Sequence, residues 1–264
     1  MSKMHGFLRK LIQPAAFQCR YWRHRLFPCV GYAADREDEL IWLLLGRVDR
    51  FTDIGANDGF TCSNTFLFAI RGAEGLCFEP DPANYSRLAW LYRMQQKVRY
   101  IPVGISDKQD VLMMRCDGLL STITATEDAG LEPLLRGWRS SQILLREVHV
   151  TTLAHWFNIN PDFGSGDVLS IDVEGHEWPV LKGIDWLATP KPARCIIIET
   201  HAFGAHASWR HRDYDAIDSL LASYCYTRVV ESANNTIWLH ADDFVATRIK
   251  EARMRLPQYN WLIP

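Results

Sequence analysis

The chain has 264 residues, of which 48% are apolar and 23% charged, and a net charge of −2. Such a length and mixture suit one α/β domain plus an extension and exclude a disordered or collagen-like chain. No apolar run reaches the ~18 residues of a membrane span and no signal-peptide core is visible, while seven scattered cysteines without a CxxC pair exclude a zinc ribbon or a disulfide framework and fit a reducing compartment.

Residues 1–30 carry Lys3, Arg9, Lys10, Arg20, Arg23 and Arg25 and no acid; since the whole chain is −2, the remainder carries −8. Met4, Phe7, Leu8, Leu11 and Ile12 fall on one helical face, which Pro14 ends. Two readings stay open here. One is a helix packed on the domain with a solvated basic side, the commoner use of such a face. The other is peripheral contact with an anionic membrane surface through residues 1–30. Residues 1–45 read as a basic, helical N-terminal extension and residues 46–264 as the main domain. The expected location is the cytoplasm, membrane-associated if the second reading holds. No nucleic-acid partner is expected.

A helix is predicted over Asp35–Leu45 and a strand over Arg50–Ile54. A helix-like segment, Thr61–Ile70, and a strand, Gly75–Phe78, follow. Pro82–Met94 reads as a helix, with Pro82 in its first turn. Tyr100–Ile105 is a third strand and Asp110–Arg115 an added strand extending it. Residues 116–146, broken by Gly118, Gly130 and Gly137, read as an irregular insertion beside the site. Then come strand Glu147–Thr151, helix Thr152–Phe157, strand Asp167–Ile171, helix Trp178–Lys182, strand Arg194–Ile198 and helix Tyr214–Ser223. Tyr226–Val230 and Thr236–Leu239, joined across Asn234-Asn235, look like a hairpin, and Asp242–Leu256 a closing helix. Alternating strands and helices imply a mostly parallel, Rossmann-like sheet with helices on both faces, finished by a C-terminal antiparallel hairpin.

In such a sheet a ligand lies over the carboxyl ends of the strands. The residues there are Asp53, Glu79, Ser106, Asp172 and Glu199, four of them acidic. The first turn, Gly55-Ala-Asn-Asp-Gly59, lacks the G-x-G-x-x-G spacing of a dinucleotide site. Asp53 and Asp58 in or beside it repel a pyrophosphate and suit a cation. Glu79, 20 positions past Gly59, can take both hydroxyls of a ribose. An adenosine cofactor bearing a sulfonium and an ammonium, S-adenosylmethionine, fits this pattern better than NAD.

The motifs Asp53-Ile-Gly-Ala-Asn-Asp-Gly59, Phe78-Glu-Pro-Asp-Pro82, Val103-Gly-Ile-Ser-Asp107 and Ser170-Ile-Asp-Val-Glu-Gly-His-Glu177, with Leu181-Lys-Gly183, resemble the FkbM family of S-adenosylmethionine-dependent methyltransferases. The resemblance runs from about Phe51 to about Glu199. It implies a class I methyltransferase fold and transfer to a hydroxyl, often on a sugar or natural product, so that the partner is a small-molecule or glycan acceptor. It places the cofactor against Asp53, Gly55, Ala56, Asn57, Gly59, Glu79, Pro80, Ser106, Asp107 and Asp172.

A protonated hydroxyl is a poor nucleophile, so a base or a metal is expected to help. Asp172, Glu174, His176, Glu199 and His201 are the catalytic candidates. Asp172, Glu199 and His201 could together hold a divalent ion, whereas a metal-free route uses His201 or His176 as base. Against this, Asp172 and Glu174 could merely cap the next helix. Aromatic and basic residues in Thr200–Tyr214 suit a sugar with an anionic group, and Ser121-Thr-Ile-Thr124 could line the pocket. The rival readings are a nicotinamide-dependent oxidoreductase and a non-catalytic Rossmann-like binding module.

Overall fold

The computed structural model describes residues 31–116, 121–123, 144–200 and 213–263. The segment 1–30, most of the insertion and positions 201–212 lie outside these described residues. The first half of the chain forms α1 (Glu37–Leu45), β1 (Arg50–Ile54), α2 (Phe66–Ile70), β2 (Glu74–Phe78), α3 (Pro82–Tyr92), β3 (Val98–Ile101), β4 (Gly104–Ile105), β5 (Asp110–Cys116) and β6 (Thr122–Ile123). The second forms β7 (Leu144–Thr151), α4 (Leu153–Ile159), β8 (Gly166–Ile171), α5 (Glu177–Lys182), β9 (Ala193–Glu199), α6 (Tyr214–Ser223), β10 (Tyr226–Glu231), β11 (Asn235–His240), α7 (Ala246–Arg255) and β12 (Asn260–Trp261). Among the described residues no helix is long and apolar enough to cross a membrane.

Eight strands form one sheet in the order β12-β10-β11-β9-β8-β1-β2-β3. The β3-β2-β1-β8-β9 run is parallel, and β11 is antiparallel to both neighbours. From β1 the chain builds outward to β3, then restarts on the other side of β1 with β8. That reversal opens a crevice above β1, where open α/β sheets bind ligands.

Strand side chains alternate between faces, and the apolar residues divide accordingly. Phe51, Cys77, Val168, Cys195, Ile197, Ile237 and Leu239 meet α1, α2, α3 and α7 on one face. Ile54, Leu76, Phe78, Leu169, Ile171, Ile196, Ile198 and Trp238 meet α4, α5 and α6 on the other. Continuous apolar runs are what a sheet covered on both faces requires. Helix α1 belongs to this core: Leu40, Ile41, Leu44 and Leu45 are all buried in it. Cys77 and Cys195 are buried free thiols, with burial pushing the pKa of each upward.

Several boundaries differ from expectation. Helix α2 begins at Phe66, because Asp58 ties the Phe60 and Thr61 amides into a turn and Ser63 Oγ takes the Phe66 amide at 3.1 Å. The expected Tyr100–Ile105 strand is two strands. Pro102 has no N–H for the ladder, and beyond it β4 leaves the large sheet to pair with β7 in a second, four-stranded sheet, β4-β7-β5-β6. There β7 starts at Leu144 because β5 supplies a partner for every residue from Leu144 to Val150. Helix α7 starts at Ala246. Asp243 is held instead by Arg194 at 2.6 Å and Lys191 at 2.8 Å, in a short turn at Ala241–Asp243. The hairpin forms as expected, with a bulge between Arg228 and Val230, and β12 adds two residues against β10.

Candidate functional site

Alternation fixes where the acids point. Asp53 shares a face with Phe51, and Glu199 with Cys195 and Ile197. Glu79 and Asp172 lie one step past β2 and β8, in phase with Cys77 and Val168. All four therefore project on the α1–α3 side at the carboxyl edge.

The first turn is built around the β1–β2 and β1–β8 seams. The Gly55 and Ala56 amides both donate to Phe78 O at 3.0 Å, and Asp172 N donates to Ile54 O at 3.0 Å. Gly55 has φ +82°, and a Cβ there meets Asp172 O at 1.8 Å. No side chain fits that position. Gly55→Ala is expected to cost ~3 kcal/mol or more from clash and strain together, read as a lower denaturant midpoint; an unchanged midpoint contradicts this packing. Gly59, φ +75°, opens toward Leu88, Leu91 and Tyr92, so its missing side chain lets α3 approach. Asp58 is spent locally on Phe60 N, Thr61 N and Thr61 Oγ1 at 2.7–3.0 Å.

Glu79 is buried, with Oε2 accepting Asn57 N at 2.8 Å and Oε1 accepting Asp81 N at 2.7 Å. Each oxygen keeps further acceptor capacity. Burial outweighs these two bonds and pushes its pKa to about 8. Asp53 accepts Thr65 Oγ1 at 2.6 Å and bonds Ser170, and burial lifts it to about 6. Asp81, not Glu79, caps α3, accepting Ala83 N at 2.8 Å; its other oxygen takes Ser121 Oγ at 2.9 Å. The Pro80 ring lies over Gly104.

Ser106 and Asp107 form a separate group. Ser106 Oγ lies 2.9 Å from His176 Nε2, and Asp107 pairs with Lys182 at 3.2 Å, which with Ser106 holds its carboxyl below the usual range. His176 is buried and its pKa is pushed down to about 4, so it is neutral at neutral pH and a weak base.

Asp172, Glu174 and Glu199 converge, each offering a carboxylate oxygen within 4.8 Å of the others. Asp172 and Glu199 hydrogen-bond to each other, and burial together with neighbouring carboxylates, chiefly Glu177 and Asp53 for Asp172 and Glu174 and Asp172 for Glu199, raises both above the usual carboxylate range. His201 lies outside the described residues.

Two contributors, Glu177 and Glu37, were not foreseen. Glu177, fully buried, orders the turn before α5 by accepting Val173 N and Gly175 N at 3.1 Å, the role anticipated for Asp172 or Glu174. Thr122, within the Ser121–Thr124 stretch named from the sequence, donates from Oγ1 to Glu174 O at 2.6 Å, tying the insertion to the acid turn. Glu37, at the start of α1, accepts Ser232 Oγ at 2.7 Å and Asn235 Nδ2 at 2.9 Å. The Ile-Asp-Val-Glu-Gly-x-Glu block contained Glu177; nothing local to Glu37 or Asn235 marks a long-range contact.

The buried acids make stability depend on pH in a definite direction. Asp38, raised by burial to about 7, and Glu79, at about 8, hold protons in the folded chain that the unfolded chain has released. Their contribution is complete below the unfolded carboxylate range and is lost as pH rises through the folded values. His176 acts oppositely, but only below its ordinary value of 6.5. The melting temperature of the ligand-free protein is therefore expected to fall by several degrees between about pH 6.5 and 8.5. A flat or rising profile contradicts the burial of these two carboxyls.

Residues 53–228, more than half of the chain, match the family model described as the Methyltransferase FkbM domain. Among curated proteins no relative matches the chain by sequence. Similar solved structures include methyltransferase FkbM from Methylobacillus flagellatus KT, 14% identical, with TM-score 0.47, covering 73% of this chain and 44% of that one. The chain thus spans less than half the length of that protein. A methyltransferase from Geobacter sulfurreducens is 11% identical, with TM-score 0.43 and coverage of 91% and 98%. The precorrin-6y C5,15-methyltransferase from Geobacter metallireducens GS-15 is 10% identical, with TM-score 0.42 and coverage of 80% and 91%. On the family match, the chain belongs to the FkbM family of methyltransferases, for which S-adenosylmethionine is the cofactor.

Proposed function

We propose that the protein transfers a methyl group from S-adenosylmethionine to a hydroxyl oxygen of a carbohydrate or natural-product acceptor. The observation that carries this is the convergence of Asp53, Glu79, Asp172 and Glu199 on one side of the sheet's carboxyl edge. The donor set fits the cofactor: carboxylates suit a diol and a cation and repel a phosphate. Glu79, held by the Asn57 and Asp81 amides, takes the ribose hydroxyls. Asp53, buried beside the Gly55 turn, lends negative potential to the cationic end. When bound, S-adenosylmethionine supplies an electrophilic methyl group on its sulfonium.

The chain's own task is to place a hydroxyl and accept its proton. Asp172 is raised toward the working pH by burial and by neighbouring carboxylates, which matches a proton acceptor to neutral conditions. Glu199, hydrogen-bonded to Asp172, orients it. Positioning supplies much of any rate gain, since methyl transfer needs little covalent help. A divalent ion on Asp172 and Glu199 is a further part of this reading.

Labelled S-adenosylmethionine incubated with a panel of sugars and phenolic or aliphatic alcohols tests it. Label recovered in an ether stable to mild acid and base is expected. Label on nitrogen or in a hydrolysable ester overturns the hydroxyl assignment, and hydride transfer with NAD overturns methyl transfer itself.

A further inference from the structure

We propose that Glu37, at the start of α1, is a positioning residue for the Asp172–Glu199 pair: it clamps the β10–β11 turn, and through that turn holds the end of β9 from which Glu199 projects. The inference deepens the methyl-transfer reading and rests on it for what the pair does, though not for the clamp itself.

Glu199 stands where the sheet narrows. The parallel ladder between β8 and β9 ends with Ile171 opposite Ile198, one step short of Glu199. Among the described residues the ladder partner of Glu199 is Asn235, the first residue of β11. One step further out, Thr200 N donates to Asn234 O at 2.9 Å, and the buried Thr200 and Thr236 hydroxyls lie 2.7 Å apart. Beyond Ile198, then, the backbone that carries Glu199 takes its register from the β10–β11 turn. The Glu199 carboxyl at its end hydrogen-bonds Asp172.

That turn is fastened from outside the hairpin. Glu37 is fully buried, and its Oε1 accepts Ser232 Oγ at 2.7 Å and Asn235 Nδ2 at 2.9 Å. Its Oε2 accepts Asp35 N at 2.9 Å, which fixes the carboxylate against rotation. Asp35 Oδ2 in turn accepts Ala233 N at 3.1 Å. Inside the turn, Asn235 N donates to Ser232 Oγ at 3.0 Å and Ser232 N to Asn235 O at 2.8 Å. Three residues of the turn are therefore tied to the start of a helix 195 to 198 positions earlier in the chain. Loops at strand ends are ordinarily the mobile part of a sheet, and burying a carboxylate to fasten one is costly. What the fastening secures is the placement of Glu199 against Asp172, where an error of about 1 Å can cost about 100-fold in rate.

Amide hydrogen exchange of the full chain tests the clamp without any acceptor. In Glu37→Ala, exchange at the Asn235 and Thr200 amides is expected to quicken about tenfold, the scale of one hydrogen bond to a charged group, with Ile196 and Ile197 in mid-strand unchanged. Labelled methyl transfer to a panel alcohol that takes the label tests the role. Glu37→Ala should lower kcat about 10–100-fold while KM for S-adenosylmethionine changes little. Glu37→Gln, which keeps an oxygen for Ser232 and Asn235, should recover part of that loss. If Glu37→Ala does not fold, Asn235→Ala removes the same bond from its other end and should show the same split. Where both fold, the double variant should lose no more than the larger single loss. Unchanged exchange at Asn235 and Thr200 overturns the clamp. Additive losses, or a raised KM with kcat retained, overturn the positioning role. S-adenosylhomocysteine titrated into the same samples separates the two readings. Quickened exchange in a protein that binds none of it keeps the clamp and removes methyl transfer; unchanged exchange with methyl transfer present keeps methyl transfer and removes the clamp.

Discussion

Asp172→Asn is expected to lower methyl transfer about 100-fold or more, the scale for losing a group that accepts a proton in the reaction. The substitution keeps the shape of the side chain and removes its charge. Asp172 is repelled by Glu177 and Asp53, so the variant that removes its charge should fold, and should be at least as stable as the wild type. Affinity for S-adenosylhomocysteine should change little, because Glu79 and the Gly55 turn carry that end of the site. Turnover of a labelled methyl group, set beside a melting curve, separates this from capping. A structural cap loses stability and keeps turnover. Full activity in Asp172→Asn removes the residue from the chemistry.

Glu79→Ala is expected to weaken S-adenosylhomocysteine about 10–100-fold, the equivalent of about 1.5–3 kcal/mol for two hydrogen bonds of about 1 kcal/mol or a little more each. The same change strands the Asn57 and Asp81 amides, which now donate to the Glu79 oxygens at 2.8 and 2.7 Å. Some loss of stability should therefore accompany the loss of affinity. Calorimetry under conditions where the variant remains folded distinguishes the two effects. Unchanged affinity moves the ribose away from Glu79.

The parts of this fold that were legible in sequence are those where a local pattern and the tertiary demand coincide. Arg50–Ile54 and Tyr214–Ser223 have the predicted limits because apolar runs and faces there are also the buried ones. Asp81 was readable as a cap because Pro82 follows it at the helix start. The break at Pro102 was present in the sequence as a missing donor, but the move of β4 to a second sheet depends on β7, more than forty residues later. Of the site, the strand-end acids could be read from where the apolar runs stop. Their common facing follows from the period of two. Glu37 and Asn235 could not be read, since they meet across 198 positions and neither carries a motif. Glu177 was within reach, but two nearer acids competed for its role.

The account turns on an adenosyl ligand at the carboxyl edge of this sheet. Isothermal titration of S-adenosylhomocysteine into the full chain, with NAD titrated in parallel, measures that directly. One site per chain at micromolar strength or tighter is predicted for S-adenosylhomocysteine, with no heat from NAD. Folded protein that binds NAD, or neither ligand, contradicts it.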